Sequence, residues 1–151
     1  MESKIKTIFL DANVIFSISY SGPERSRSYL LIELKKAKII ELVTSGIALE
    51  EASRNLELKR PSSLSTLKDI VKHIRILKDI NPEEIECDRI NSLPQDDRII
   101  FASAVGHRAN YFLTGNTKDF HHMVGEVVCG VKVMKPADFL HLGVCQSLHS
   151  L

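Results

Sequence analysis

Four short runs rich in Ile, Val, Leu and Phe, at residues 5–10, 37–44, 111–114 and 131–134, alternate with stretches whose apolar residues recur every three or four positions. Strands that alternate with helices in one chain bury their apolar faces most simply as a parallel sheet covered by helices on both sides. That pattern predicts an α/β fold, and in such folds ligands bind beyond the carboxyl ends of the strands. The polar residues that directly follow the strands are therefore the ones to weigh for chemistry.

The first strand ends at Leu10, and the segment "SYSGPERS", 19–26, reads as a loop through Ser21, Gly22 and Pro23. Leu30, Leu31 and Leu34 place a helix over 25–36. The second strand ends at Thr44, Ser45 is a good N-cap, and a helix follows to about Lys59 before Pro61. Leu64, Leu67, Ile70, Val71, Ile74 and Leu77 predict a helix over 62–78 with a basic, solvated outer face. An acidic, Pro-containing connection leads to a helix over 96–107, the strands at 111–114 and 131–134, and a last helix after Pro136.

The 151 residues fit a single domain, 1–151, large enough for a substantial core. Lys and Arg total 20 against 19 acids, so no global basic field announces nucleic acid, and any such binding uses local patches. The three cysteines, Cys87, Cys129 and Cys145, lie far apart without a C-x-x-C pair, which argues against a disulfide framework and against a zinc site, and suits a reducing compartment. No segment resembles a signal peptide or a membrane span, so the cytoplasm is expected.

Asp11 interrupts an apolar run and falls just beyond the first strand, with Asn13 two residues later. An unpaired buried carboxylate is costly, so Asp11 either caps a turn or serves a site. On the helix after Ser45, with Ile47 at zero, the apolar residues span an arc of roughly 200°; Glu51 falls inside it at roughly 40°, and Glu50 outside it near 300°. Glu50 has a plain role, an ion pair with Arg54 four residues on. Glu51 has none, which favours function for it.

By the same geometry Asp97 begins a face that continues through Phe101 and Ala104, although it could also complement the helix dipole. Asp96 reads as an N-cap after Pro94. In "YFLTGNTKDF", Thr114, Asn116 and Asp119 follow a strand, with a helix cap at Asp119 as the structural alternative. Two carboxylates about 4 Å apart repel by roughly 4 kcal/mol at an effective dielectric of 20, so acids gathered at one sheet edge call for a cation. All-oxygen ligands favour magnesium or manganese over zinc.

The segments "FLDANVIFS", "SGIALEEASRNL", "DDRIIFASAV" and "YFLTGNTKDF", in that order, with "VMKPADFL" near the end, resemble the PIN-domain ribonucleases. The resemblance spans nearly the whole chain and implies a three-layer α/β/α sandwich with a central parallel sheet. It makes Asp11, Glu51 and Asp97 metal-binding and catalytic acids. The fourth is Asp119, with Asn116 standing where many relatives have an acid and acting, with Asn13 and Thr114, in support.

The activity so implied is cleavage of RNA phosphodiester bonds with Mg²⁺ or Mn²⁺, and no side-chain nucleophile is required. Single-domain relatives of this size resemble the toxin halves of toxin-antitoxin pairs, often homodimers inhibited by a partner protein. RNA contacts could come from Lys35, Lys36, Lys38, Arg98, Arg108 and Lys118, although scattered surface charge explains most of these. The alternative is a PIN-like module that binds RNA or protein without cutting, and a DNA nuclease is a third reading.

Other motifs are weaker. His121 and His122 point about 100° apart on a helix and make a poor metal pair. "DAN" resembles the first motif of haloacid-dehalogenase phosphatases, which requires an acid where Asn13 stands. "SGPERS" lacks the lysine of a phosphate-binding loop.

Overall fold

Alternation along the first strand sends Ile8 and Leu10 to one side and Phe9 to the other, all three fully buried, and this divides the molecule into layers. The computed structural model describes residues 5–149, with side chains through Leu142. Its strands are β1 (Lys6–Leu10), β2 (Ile40–Ser45), β3 (Arg75–Leu77), β4 (Tyr111–Leu113), β5 (Val127–Val128) and β6 (Val131–Met134). Its helices are α1 (Ala12–Arg25), α2 (Leu30–Lys36), α3 (Gly46–Lys59), α4 (Leu64–Val71), α5 (Gln95–Gly106), α6 (Thr117–Phe120) and α7 (Pro136–His149).

The strands form one sheet in the order β3-β2-β1-β4-β6-β5. Every pairing is parallel except β5 with β6. On one face Ile8, Leu10, Leu42 and Leu113 pack with Val14, Ile15, Leu31, Leu56, Ile70 and Phe139 from the helices around α1. On the other face Phe9, Val43 and Phe112 pack with Ile100, Phe101 and Ala104 of α5 and with Phe120. This is the α/β/α arrangement that the alternation predicted. Strand order reverses at β1, whose neighbours are β2 and β4, so the crevice beyond the carboxyl ends of β1 and β4 is the topological switch point.

Several local expectations are corrected. Residues 19–26 are not a free loop: α1 continues through them because Val14, Ile15 and Ile18 supply a buried helical face. It breaks only at Gly22, with φ of 78°, where the following Pro23 disfavours helical geometry and glycine tolerates the left-handed one. The helix expected from Arg25 starts as a 3-10 turn, Arg27–Tyr29, before α2.

The segment 62–78 divides into α4 and the edge strand β3, because the spacing of Ile74 and Leu77 fits a helix and a short strand equally well. The antiparallel strand β5 was not expected. It pairs with β6 through a two-residue turn at Cys129 and Gly130, both at positive φ (50° and 88°), which matches the twist of a tight hairpin.

The reading of unpaired cysteines is also corrected. Buried Cys87 is disulfide-bonded to Cys129 at the hairpin tip, their Cα atoms 5.9 Å apart. A sequence separation of 42 conceals such a pairing, since whether two cysteines can meet depends on how the fold brings their backbones together. Cys145 lies outside the described side chains. No helix among the described residues is long and apolar enough to cross a membrane.

Candidate active site

Asp11 sits where β1 ends and α1 begins, at extended φ/ψ, and its own backbone N–H is already committed to Leu113 O of β4 at 3.0 Å. That bond ties the ends of the two central strands together. The buried Thr44 hydroxyl adds a second tie, donating to Leu10 O at 2.7 Å. Asp11 is therefore held from both sides before its side chain makes any contact.

The carboxylate is only 2% exposed and accepts three hydrogen bonds. Ala12 N–H donates to Oδ1 at 2.8 Å, while the Asn13 amide and the Thr114 hydroxyl donate to Oδ2 at 2.9 and 2.7 Å. Burial pushes the Asp11 carboxyl above its ordinary range, and these three donors pull against that shift. A carboxylate has about four acceptor positions, so the open one lies on Oδ1. Asp11 thus combines the capping role with a direction left free.

Thr114 and Asn13 form the support. Thr114 Oγ accepts from Asn116 N–H at 3.0 Å and from the Asn13 amide at 3.2 Å, and Asn13 Oδ1 accepts from Gly115 N–H at 2.7 Å. A side chain at Gly115 would press on Asn13 Oδ1 at 3.2 Å, so the close approach favours glycine there. Asn116, rather than Asp119, caps α6: its Oδ1 accepts from Asp119 N–H at 3.2 Å and its amide donates to Asp119 Oδ2 at 2.9 Å.

Glu51 is half-buried on α3, whose start is capped by Ser45 and, from a distant loop, by Asp79 through Ile47 N–H at 3.0 Å. Burial raises the Glu51 carboxyl, and the charges of Asp11 and Asp96 raise it further. Glu50 is exposed and paired with Arg54 at 3.0 Å, as its spacing predicts.

Asp97, half-buried in the first turn of α5, is pushed up to about 7, chiefly by burial and then by the charges of Asp11, Asp119 and Glu51. Hydrogen bonding with the Asp119 carboxylate acts in the same direction, since it favours a proton on Asp97. The structure therefore brings Asp11, Glu51 and Asp119 within electrostatic reach of Asp97. It also adds Asp96, which sequence reasoning assigned to a cap. The N-cap position is Pro94, no side chain caps α5, and Asp96 instead lies exposed beside Glu51. Its place directly before Asp97 was the one signal available.

Among the described residues no ion pair reaches Asp11, Glu51, Asp97 or Asp119. Nor do three His, Cys, Asp or Glu side chains converge tightly enough to hold one ion as they stand. An uncompensated all-oxygen set of this kind fits a hard divalent cation such as Mg²⁺, which commonly takes one or two carboxylates and keeps several waters. It does not fit a cage of many protein ligands.

An α/β sheet with acids gathered at its switch point, and no nucleophile-base pair among them, defines a class of carboxylate-site α/β proteins. The model of the PIN domain matches residues 7–118, and the chain belongs to that family. The match includes Asp11, Glu51, Asp97 and Asn116 and ends one residue before Asp119.

Among solved structures, the fold is similar to a chain of VapBC2 from Rickettsia felis, a complex bound to a DNA fragment from its promoter. That likeness has a TM-score of 0.64 at 16% identity over 85% of this chain and 98% of the other. It is similar too to a chain of VapBC-1 from nontypeable Haemophilus influenzae, with a TM-score of 0.58 at 14% identity over 87% of this chain and 98% of that one. No curated protein is significantly similar to it in sequence.

Proposed function

We propose that this chain, acting as a single domain over 1–151, is an endoribonuclease dependent on Mg²⁺ or Mn²⁺. The observation that carries the reading is the state of Asp11: buried, held by three donors, with one open acceptor position and three further acids nearby but no cationic side chain in contact. A site built only for stability would satisfy that carboxylate with a cation or replace it.

In this reading Asp11, Glu51, Asp97 and Asp119 hold the metal, and Asn13, Thr114 and Asn116 orient Asp11 and Asp119. When bound, the divalent ion supplies Lewis acidity for activating water and for neutralising charge on the phosphate. The protein's own part is geometric and electrostatic. Thr114 and Asn13 hold Asp11 in place and favour its ionised form against the effect of burial. Asp97, raised chiefly by burial and then by its acidic neighbours, would favour its ionised form where a cation is held among these acids.

The family and the likeness to VapBC complexes support a toxin role, with a partner antitoxin protein that masks the site, and a complex of the two that binds DNA. We further propose a homodimer, to be checked by light scattering on the purified chain, and a cytoplasmic location, which no longer draws on unpaired cysteines because Cys87 and Cys129 are bonded. The alternative of a non-catalytic RNA- or protein-binding module draws on one observation, the absence of three converging metal-ligating side chains among the described residues.

Incubation of purified protein with total RNA decides between the two readings. Cleavage with Mg²⁺ or Mn²⁺ that stops on chelation is expected. Absence of both cleavage and manganese binding by calorimetry would establish the non-catalytic module.

A further inference from the structure

A groove of about 580 Å³ lies between α6 and the start of α5, beside the acids. Pro94, Arg98, Lys118, Asp119, His121 and His122 line it. We infer that this groove holds a backbone phosphate of the RNA strand next to the one that is cut. The inference rests on the ribonuclease reading and extends it to how the substrate is held.

The charge balance favours an anion. Arg98 and Lys118 line the groove against one carboxylate, Asp119, which also bonds with Asp97. Lys118 is exposed, and no ion pair engages it or Arg98 among the described residues. The Arg98 guanidinium is anchored through Nε on Leu93 O at 2.6 Å and through Nη2 on Asn91 O at 3.0 Å. A fork fixed in that way is suited to phosphate oxygens.

The hydrogen bonds of the two histidines also set their tautomers. His121 Nδ1 lies 3.1 Å from Lys118 O, and a carbonyl only accepts, so Nδ1 carries the proton and Nε2 is the free nitrogen. Ser92 donates its single hydroxyl proton to Arg89 O at 2.6 Å, so its contact with His122 Nε2 at 2.7 Å must be donated by the imidazole. Nδ1 is then the free nitrogen of His122. Each ring is held by one nitrogen and leaves the other as an acceptor, suited to a ribose hydroxyl beside the phosphate.

Because Asp119 lines the groove and also bonds with Asp97, a strand laid in the groove would reach the acid cluster. A single bound phosphate spanning both would meet the carboxylates without a cation, so the groove suits the phosphate adjacent to the reacting one. His121 and His122, a poor metal pair by their spacing, line this groove without sharing an ion.

The test measures binding apart from cutting. Fluorescence anisotropy with a short single-stranded RNA in the presence of chelator reads affinity whether or not the protein is a nuclease. Lys118→Ala with His121→Ala should weaken that affinity about tenfold. Lys118→Ala alone should lower the slope of log K against log salt by roughly 0.7, the contribution of one phosphate contact to a single strand. Both side chains are exposed, and an unchanged thermal melt together with unchanged manganese affinity confirms an intact fold and acid site.

Where cleavage occurs, KM should rise by a similar factor with kcat changed less than threefold. Unchanged RNA affinity and salt slope in these variants would overturn the proposal while leaving the ribonuclease reading intact. Loss of binding to a poly-glutamate peptide with RNA affinity retained would overturn it too, marking the groove as a dock for an acidic protein. A wild type that binds RNA through these residues but never cuts would support the groove and refute the nuclease.

Discussion

The crevice between β1 and β4 and the adjoining ends of α5 and α6 treat their carboxylates in opposite ways. Asp11, in the crevice, is almost fully buried yet receives three hydrogen bonds from Ala12, Asn13 and Thr114. Asp97, at the start of α5, is less buried, and the neighbours that shift its carboxyl all push it upward. The strand ends thus offset part of the burial that raises Asp11, whereas nothing at the start of α5 offsets the burial and charge that raise Asp97. A site with only the first kind would be a stable polar cluster. With only the second it would be a proton store. Together they gather carboxyl groups that no ion pair reaches among the described residues, the arrangement on which the proposed metal dependence rests.

The largest effect should come from removing either kind of acid. Asp11→Asn and Asp97→Asn are each expected to lower RNA cleavage at least a hundredfold with the fold intact, the usual scale or more for groups that hold a metal. Wild-type rates in both would dissolve the comparison at once, and a gel assay with circular dichroism as the folding control suffices.

Next is the support of Asp11. Thr114→Val keeps the shape, removes a donor to Asp11 and leaves Asn116 N–H without its acceptor. Manganese affinity measured by calorimetry should fall about tenfold. Stability measured by urea unfolding should fall by about 1–3 kcal/mol, the range for leaving a buried polar group unpaired. No change in metal affinity would mean that Asp11 does not depend on the donors beside it.

A smaller effect separates the two kinds of acid without any assay of activity. In the metal-free protein the Asp97 carboxyl is raised from 3.8 to about 7, so the folded state keeps a proton that the unfolded chain releases. Its contribution is fully present below pH 3.8 and is lost as pH rises towards 7, so stability falls with pH across that window. Asp97→Asn should flatten this slope and raise the metal-free Tm at pH 7.5 by a few degrees, with solvent screening reducing the effect at this half-exposed position. Thermal melts in chelator at pH 5 and 7.5 provide the check, and a lower Tm in the variant would contradict the electrostatic account.

The smallest effect is the control. Glu50→Ala removes only an exposed ion pair with Arg54 and should change stability by less than about 0.5 kcal/mol. Its cleavage rate should match wild type, while Glu51→Gln, one residue on, should lose activity. Equal loss in both would show that the burial difference between the neighbours carries no functional meaning.

Periodicity reached a good part of this site. The helical wheel separates Glu51 from Glu50 because 100° per residue places one on the buried side of α3 and the other in solvent, and the structure has them so placed. Asp97 is legible on the same ground. Asp96 was misread, because a residue just after a proline and before a helix has the composition of a cap, whereas its proximity to Glu51 arises from the packing of α5 against α3. Asp79 carried no signal as the second cap of α3, since Ile47 lies 32 positions away.

By itself the chain determined its alternating elements, their placement around a mostly parallel sheet and the segments that end at its carboxyl edge. Those properties follow from hydrophobic period and local capping, which act over a few residues. Tertiary structure decided the rest: the strand order that puts Asp11 beside Thr114, 103 positions on; the hairpin and disulfide that join Cys129 to Cys87; and the charge felt by each acid. Those depend on burial and on neighbours distant in sequence, and pattern along the chain cannot encode a distance across the fold. The one carboxylate in the first apolar run marks where the two meet: local sequence placed Asp11 at a strand end, and the fold surrounded it with three donors and left one direction open.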